Sequence, residues 1–230
     1  MSKNIVEKID NNVKIQTVLI SVSDKSGLDT FVPGLLKINP DILILSTGGT
    51  YNKIKEILQD KAKPCLQKVS DYTKQPETQG GLVKTLDFKI YLGLLTETYN
   101  DAHQEDLIRT NAFAIDMVVV NLYPFSETIA KQGISVENAR GNIDIGGPCM
   151  IRASAKNFIR LACVVDPKSY PGILTKLNNN NGFLSFQDRF KLAQKAFDHT
   201  ALYDKNIAQY LSTKSVDEAM SCYKLPCDRS

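Results

Sequence analysis

A carboxylate, Asp144, stands two residues ahead of Gly146-Gly147-Pro148, and an amine, Lys156, follows it by twelve. The glycine pair lets the chain turn tightly into a helix. Proline suits the first helical turn, because its missing donor would be unpaired there anyway. Backbone N–H groups at a helix start have no intrahelical acceptor, so they can face an anion or a developing oxyanion. Lys156 falls at or just past the end of the same helix. Together these residues offer an acid–base pair beside amide donors. On spacing alone, a surface helix with an incidental lysine is the simpler reading.

Two more segments carry groups suited to an anion. In Ser46-Thr47-Gly48-Gly49-Thr50 the glycines allow close backbone approach, and the threonines add hydroxyls. Lys25, in Ser23-Asp24-Lys25, adds a cation. Each segment alone reads as a plain strand–helix turn, so what matters is which elements position them.

Short apolar runs alternate with helical patterns, which predicts βαβ units and a mostly parallel sheet. Strands are expected at 17–22, 42–45, 65–69, 89–95, 115–122 and 161–165, with helices over 29–37 and 51–59. Pro33-Gly34 weakens the first of these helices. This order puts Ser23–Lys25, Thr47–Thr50 and Asn121-Leu122-Tyr123 at carboxyl ends of strands, where open α/β sheets bind ligands. After Asn178–Gly182 a long helix is expected, with a capping box of Ser185 and Asp188. Phe186, Phe190, Ala193, Phe197 and Ala201 would form its buried face. His199 on that helix reads as a packed or capping histidine, and the polar tail beyond about residue 212 as loosely ordered.

The bulk properties narrow the class. The 230 residues are 43% hydrophobic and 23% charged, as in a soluble globular protein. A net charge of +3 without a basic tract suits a phosphorylated small molecule better than nucleic acid. The apolar runs are too short to span a bilayer, and the polar N-terminus lacks the apolar stretch of a signal peptide. Five cysteines without Cys-x-x-Cys predict reduced thiols and no structural zinc; Cys149 reads as packing. His103 and His199 stand apart and outside any nucleophile motif, which gives a Ser–His–Asp hydrolase little support.

Residues 141–157 resemble the IMP cyclohydrolase family, usually the N-terminal part of the bifunctional AICAR formyltransferase/IMP cyclohydrolase. Five further blocks match in the family's order: Ser21–Leu28, Ser46–Thr50, Val69–Thr73, Val83–Leu86 and Val119–Phe125. The resemblance implies a methylglyoxal-synthase-like three-layer α/β domain over residues 1–177 with a mostly parallel central sheet. Residues 178–230 would form a C-terminal helical extension and polar tail. It implies a cytoplasmic, monofunctional enzyme of purine biosynthesis that closes 5-formamidoimidazole-4-carboxamide ribonucleotide to inosine monophosphate with loss of water. No cofactor and no metal are called for. The implied catalytic set is Lys84, Tyr123, Asp144 and Lys156, with Lys156 and Asp144 as proton relay and Lys84 facing the formyl oxyanion. Tyr123 would hold a carbonyl or relay a proton. The implied substrate-binding residues are Ser23, Asp24, Lys25, Thr47, Gly48, Gly49, Thr50, Val83, Thr85, Asn121 and Ile145. The partner is a purine ribonucleotide, with no nucleic acid and no membrane. A homodimer and a separate formyltransferase chain are compatible with the resemblance. The rivals are a nucleotide-sensing module on the same fold and, less well matched, a methylglyoxal synthase, whose carboxylate and histidine motifs have no counterpart placed here.

The chain also departs from the family. The family's Gly-Arg-Val-Lys-Thr-Leu-His-Pro is here Gly81-Leu82-Val83-Lys84-Thr85-Leu86-Asp87-Phe88, and the histidine after its Lys-Asn is Phe158. Where the resemblance implies a nucleotide-binding arginine, Leu82 offers no charge-assisted hydrogen bond, a contact worth about 1.5–3 kcal/mol. Leu82→Arg should therefore tighten inosine monophosphate binding by roughly 10- to 100-fold. Isothermal titration of both proteins checks this; equal or weaker binding in the folded variant shows a pocket built differently.

Overall fold

Side chains alternate along the central strand: Val18, Ile20 and Val22 enter one buried cluster and Leu19 the other. That period of two, repeated by Met117 and Val119 against Val118 and Val120, makes a sheet apolar on both faces that helices must cover. The computed structural model describes residues 5–75 and 85–224. In chain order its elements are β1 (Asn12–Lys14), β2 (Thr17–Val22), α1 (Leu28–Ile38), β3 (Leu43–Ser46), α2 (Gly48–Leu58), α3 (Ala62–Cys65), β4 (Leu66–Lys68) and α4 (Val69–Thr73). There follow α5 (Phe88–Leu95), α6 (Asp101–Arg109), β5 (Met117–Asn121), α7 (Phe125–Ile129), α8 (Val136–Gly141), α9 (Gly146–Lys156) and β6 (Ala162–Val164). The last are α10 (Tyr170–Asn179), β7 (Phe183–Ser185), α11 (Phe186–Ser212) and α12 (Val216–Met220).

Five strands form a wholly parallel sheet in the order β4-β3-β2-β5-β6. Helices α1, α2 and α10 contribute to the cluster on one face, and α5, α9 and α11 to that on the other. A separate antiparallel pair joins β1 to β7, and α11 packs on α9 and β6. The three-layer α/β arrangement expected from the sequence is the one found. Among the described residues no helix is long and apolar enough to cross a membrane.

Three local expectations are corrected. Residues 89–95 are helical, not a strand: Asp87 caps α5 by accepting from the Lys89 N–H at 2.8 Å. A short apolar run does not distinguish the two states, and the cap decides it. The buried face of α11 is also displaced. Arg189, Ala193, Ala196, Thr200 and Tyr203 point inward, while Phe190, Phe197 and Ala201 are exposed. Phe186 and Phe190 instead pack with Phe158, at centroid distances of 5.9 and 5.1 Å, in a small aromatic cluster beside the core. Beyond residue 212 the chain forms α12, closed by a capping box between Ser215 and Glu218.

Two buried arginines tie the layers together. Arg189 is fully buried and donates to the carbonyls of Asp10, Asn11, Phe158, Ile159 and Leu184 at 2.7–3.2 Å. Burial pulls its pKa down to about 10. Arg160 pairs with Asp116 at 3.1 Å and donates to the carbonyls of Gly93, Thr96 and Ile115. The other Asp116 oxygen accepts from the Gln16 and Thr17 N–H groups, at the start of β2. Burial still raises the Asp116 pKa, because desolvation outweighs the guanidinium and the amides. Removing one partner of such a pair costs about 3–5 kcal/mol. Arg160→Met should lower the urea midpoint accordingly, and Asp116→Asn in the same chain should recover part of the loss. The deficit should be largest near neutrality and shrink in acid, because a carboxyl with a raised native pKa takes up its proton on folding.

Candidate functional site

At the carboxyl ends of β2, β3 and β5 the sheet opens into a cavity of about 390 Å³, closed on one side by the start of α9. Ser23, Lys25, Thr47, Gly48, Gly49, Thr50, Thr85, Asn121, Tyr123, Asp144 and Ile145 all line it. The structure thus gathers loops that are far apart in sequence, from Ser23 to Ile145, as the strand order requires.

One corner is built for an anion. The Gly48 backbone at φ 45 turns the chain from β3 into α2, a conformation that glycine adopts without strain. Gly48 and Gly49 at the start of α2 line the cavity, and their amides precede the first helical bonds, which the Thr50 and Tyr51 N–H groups make to the Thr47 carbonyl. Thr47 does not cap them; its hydroxyl pairs with that of Ser21 at 2.9 Å. Lys25 lies over the helix start: a Cβ added to Gly49 would come 4.0 Å from its ammonium nitrogen, which donates to the Ser23 carbonyl. A cation and oriented amides therefore converge on one point.

The expected ligand-binding role of two neighbours is largely taken up by loop geometry. The Asn121 carboxamide accepts from the Ser23 and Asp24 N–H groups and donates to the Asp24 carbonyl, so it fastens the β5 loop to the β2 loop. Thr50 Oγ1 both accepts from the Val22 N–H and donates to the Val22 carbonyl. Asp24 is exposed and away from the cavity lining, bonded to the Ser26 amide and hydroxyl, which lower its pKa.

The second corner holds the acid. One Asp144 oxygen accepts from the Gly147 N–H at 2.9 Å, so the carboxylate caps α9 from the cavity side. A Cβ on Gly147 would come 2.5 Å from the other oxygen and 2.6 Å from Leu122, so only glycine fits there. Burial is the largest influence on this carboxyl and raises its pKa, against the Gly147 and Tyr123 amides that lower it. The shift makes this carboxylate a better proton acceptor than a solvated one. Tyr123 stands at the rim, 56% exposed. Residues not expected from the sequence complete the wall, among them Ser21, Leu86, Ile143 and Met150. Ser21, Leu86 and Met150 all fall within stretches that match the family, which was the available signal for them.

Lys156 is not brought to Asp144. It is exposed at the far end of α9, about 15 Å from the helix start at 1.5 Å per residue. Its neighbour Asn157 donates to the carbonyls of Leu94 and Thr96, beside Arg160, at the opposite end of the sheet. The relay expected between the two residues has no support in this geometry. Val83 and Lys84 lie outside the described residues. Asp87, a departure from the family pattern, is the α5 cap. Among the described residues no group of three or more histidines, cysteines or acids could hold a metal.

A family model for the MGS-like domain matches residues 28–149, more than half of the chain, and one for the AICARFT/IMPCHase bienzyme matches residues 154–229. The bifunctional purine biosynthesis protein PurH of Neisseria gonorrhoeae (strain NCCP11945) is 46% identical over 203 residues, or 88% of this chain and 37% of that protein. Its counterpart from Neisseria meningitidis serogroup C / serotype 2a is 45% identical over the same length. The chain thus spans little more than a third of the curated relatives it matches. Among solved structures, the crystal structure of ForH superposes with a TM-score of 0.71 at 28% identity, covering 84% of this chain and 97% of that one.

The raised Asp144 pKa has a thermodynamic consequence. The native state holds this proton more tightly than the unfolded chain, so stability is lost as pH rises from ~3.9 through the native value. Asp144→Asn keeps an oxygen for the Gly147 N–H without the charge. At about pH 7 the variant should melt at or above the parent, and in acid below about pH 4 the advantage should vanish. Calorimetry at the two pH values checks both the sign and the window.

Proposed function

Because the chain belongs to the MGS-like domain family and sets a desolvated carboxyl opposite an anion corner in one cavity, we propose that it is an IMP cyclohydrolase. It would close 5-formamidoimidazole-4-carboxamide ribonucleotide to inosine monophosphate. The observation that carries the reading is the pairing, across about 390 Å³, of the Lys25–Gly48–Gly49 corner with Asp144. The MGS-like match takes in the cavity-lining residues from Thr47 to Gly147, and the likeness to PurH supports the same reading.

In this reading the ribonucleotide phosphate lies against Lys25, the α2 amides and the Thr47 hydroxyl. The base then extends toward Asp144 and Tyr123. The carboxamide nitrogen bonds to the formyl carbon as it loses a proton, and the formyl oxygen gains one. The hydroxyl so formed then leaves as water with the second nitrogen proton. Both reacting groups belong to one molecule, so fixing the productive rotamer supplies much of the acceleration; such orientation is worth about 7–11 kcal/mol in favourable intramolecular cases. Asp144 carries the proton between nitrogen and oxygen, and its burial makes the carboxylate a better proton acceptor than a solvated one. The Ile145 amide would stabilise the oxyanion and Tyr123 would hold a carbonyl, and the resemblance gives Lys84 a share in the oxyanion's stabilisation. A cytoplasmic location, a separate formyltransferase supplying the formylated substrate, and a homodimer belong to the same proposal.

The test is incubation of the pure chain with the formamido-ribonucleotide, following inosine monophosphate by chromatography. Formation well above an enzyme-free control is expected, with Asp144→Asn lowering kcat by roughly 100-fold or more. Lys156→Ala should cost far less, since the lysine acts at the other end of α9. Cyclisation no faster than the control would sink the enzyme reading and favour a nucleotide-sensing module.

A further inference from the structure

The acid of the site is held by a residue from a distant part of the chain. Tyr203, on α11, presents its hydroxyl oxygen to the Asp144 backbone N–H at 2.8 Å. The same hydroxyl donates toward the Asn142 carbonyl at 3.4 Å, so one oxygen bridges the loop that ends at the acid. The tyrosine is 8% exposed, and its ring stands edge-on to Phe125 at 6.3 Å. Phe125 opens α7, two residues after Tyr123, and also meets Tyr210 edge-on at 5.8 Å. Asn206 donates to the Ser126 hydroxyl at 2.9 Å. Three contacts thus lock this stretch of α11 to the segment that carries Tyr123.

We propose that Tyr203 is a positioning residue for Asp144, setting the height of the 142–144 loop so that the carboxyl stays half-buried at the cavity wall. The inference rests on the cyclohydrolase reading for its kinetic consequence but not for its structural one. Asp144 is held from both sides: the Gly147 N–H holds its carboxylate on the helix side, and the Tyr203 hydroxyl holds its backbone on the other. Without that oxygen the Asp144 N–H loses its acceptor, and the loop must move to let water reach it. A carboxyl so displaced is better hydrated and more acidic. Among the described residues, the charged and titratable groups around this position are Tyr123 after β5, Lys25 in the same cavity, and Asp204 next to Tyr203 on α11.

The experiment compares the full-length parent, Tyr203→Phe and Phe125→Leu. Asp144 carboxyl titration is followed by ¹³C NMR, with the signal assigned through Asp144→Asn, alongside kcat and KM on the formamido-ribonucleotide. Tyr203→Phe keeps the ring on Phe125, so it should fold. Its Asp144 midpoint should fall toward the ordinary ~3.9. Its kcat should drop roughly 10- to 100-fold, because a small misplacement of a reacting group has that effect, with KM little changed. Phe125→Leu, which keeps the hydroxyl but loses ring contacts, should melt earlier and leave the Asp144 midpoint in place. An unchanged midpoint in Tyr203→Phe overturns the proposal, as does an equal displacement in Phe125→Leu or a kinetic loss confined to KM. If the parent does not cyclise the substrate, the cyclohydrolase reading falls, and the two carboxyl titrations alone decide the role of Tyr203.

Discussion

The buried pair of Arg160 and Asp116 is the constraint on which the remaining architecture hangs. Two ions out of water are tolerated only where nearly every donor and lone pair is met. Here that requirement recruits the start of β2 through Gln16 and Thr17, the entry to β5 through Ile115, and the end of α5 through Gly93 and Thr96. Asn157 extends the same web to the end of α9. The amino ends of the two central strands are thereby fixed, and with them the relative heights of the loops at the opposite edge.

The opposite edge is built on a different principle. There the side chains mostly hold one another: Asn121 clasps the Ser23–Asp24 backbone, Thr50 clasps Val22, and Thr47 is engaged with Ser21. What remains turned toward the cavity is a lysine, the amides that begin α2, and one carboxyl drawn out of water. Helix α9 connects the two edges, its first turn capped by that carboxyl and its last residue beside the arginine web. A helix used as a strut in this way cannot bring residues at its two ends to one reacting centre.

Much of this was legible in the sequence. Period-two alternation and Gly-containing turns gave the parallel sheet and the three loops that meet at the cavity, because those signals act over a few residues. The misreadings have two sources, local caps and contacts made at long range. The helix at 88–95 looked like a strand until Asp87 is seen holding the Lys89 amide. Three phenylalanines on α11 looked like core. Yet the inward position belongs to Arg189, whose carbonyl partners lie some 180 residues upstream and about 30 residues back. Nothing in local hydrophobicity marks a guanidinium for the interior, and nothing near residue 144 marks Tyr203 as its neighbour. Phe158 becomes intelligible in the same way, as the ring that the displaced Phe186 and Phe190 pack upon.

Arg189 also sets an order on biosynthesis. The five parallel strands are all synthesised by residue 164, yet the carbonyls of Asp10 and Asn11 have their donor at residue 189, and β1 has its pairing strand at 183–185. During synthesis the segment around β1 thus stays unsecured until residues 183–189 have been made. An early segment is fastened late, by a guanidinium that arrives only when α11 starts to form.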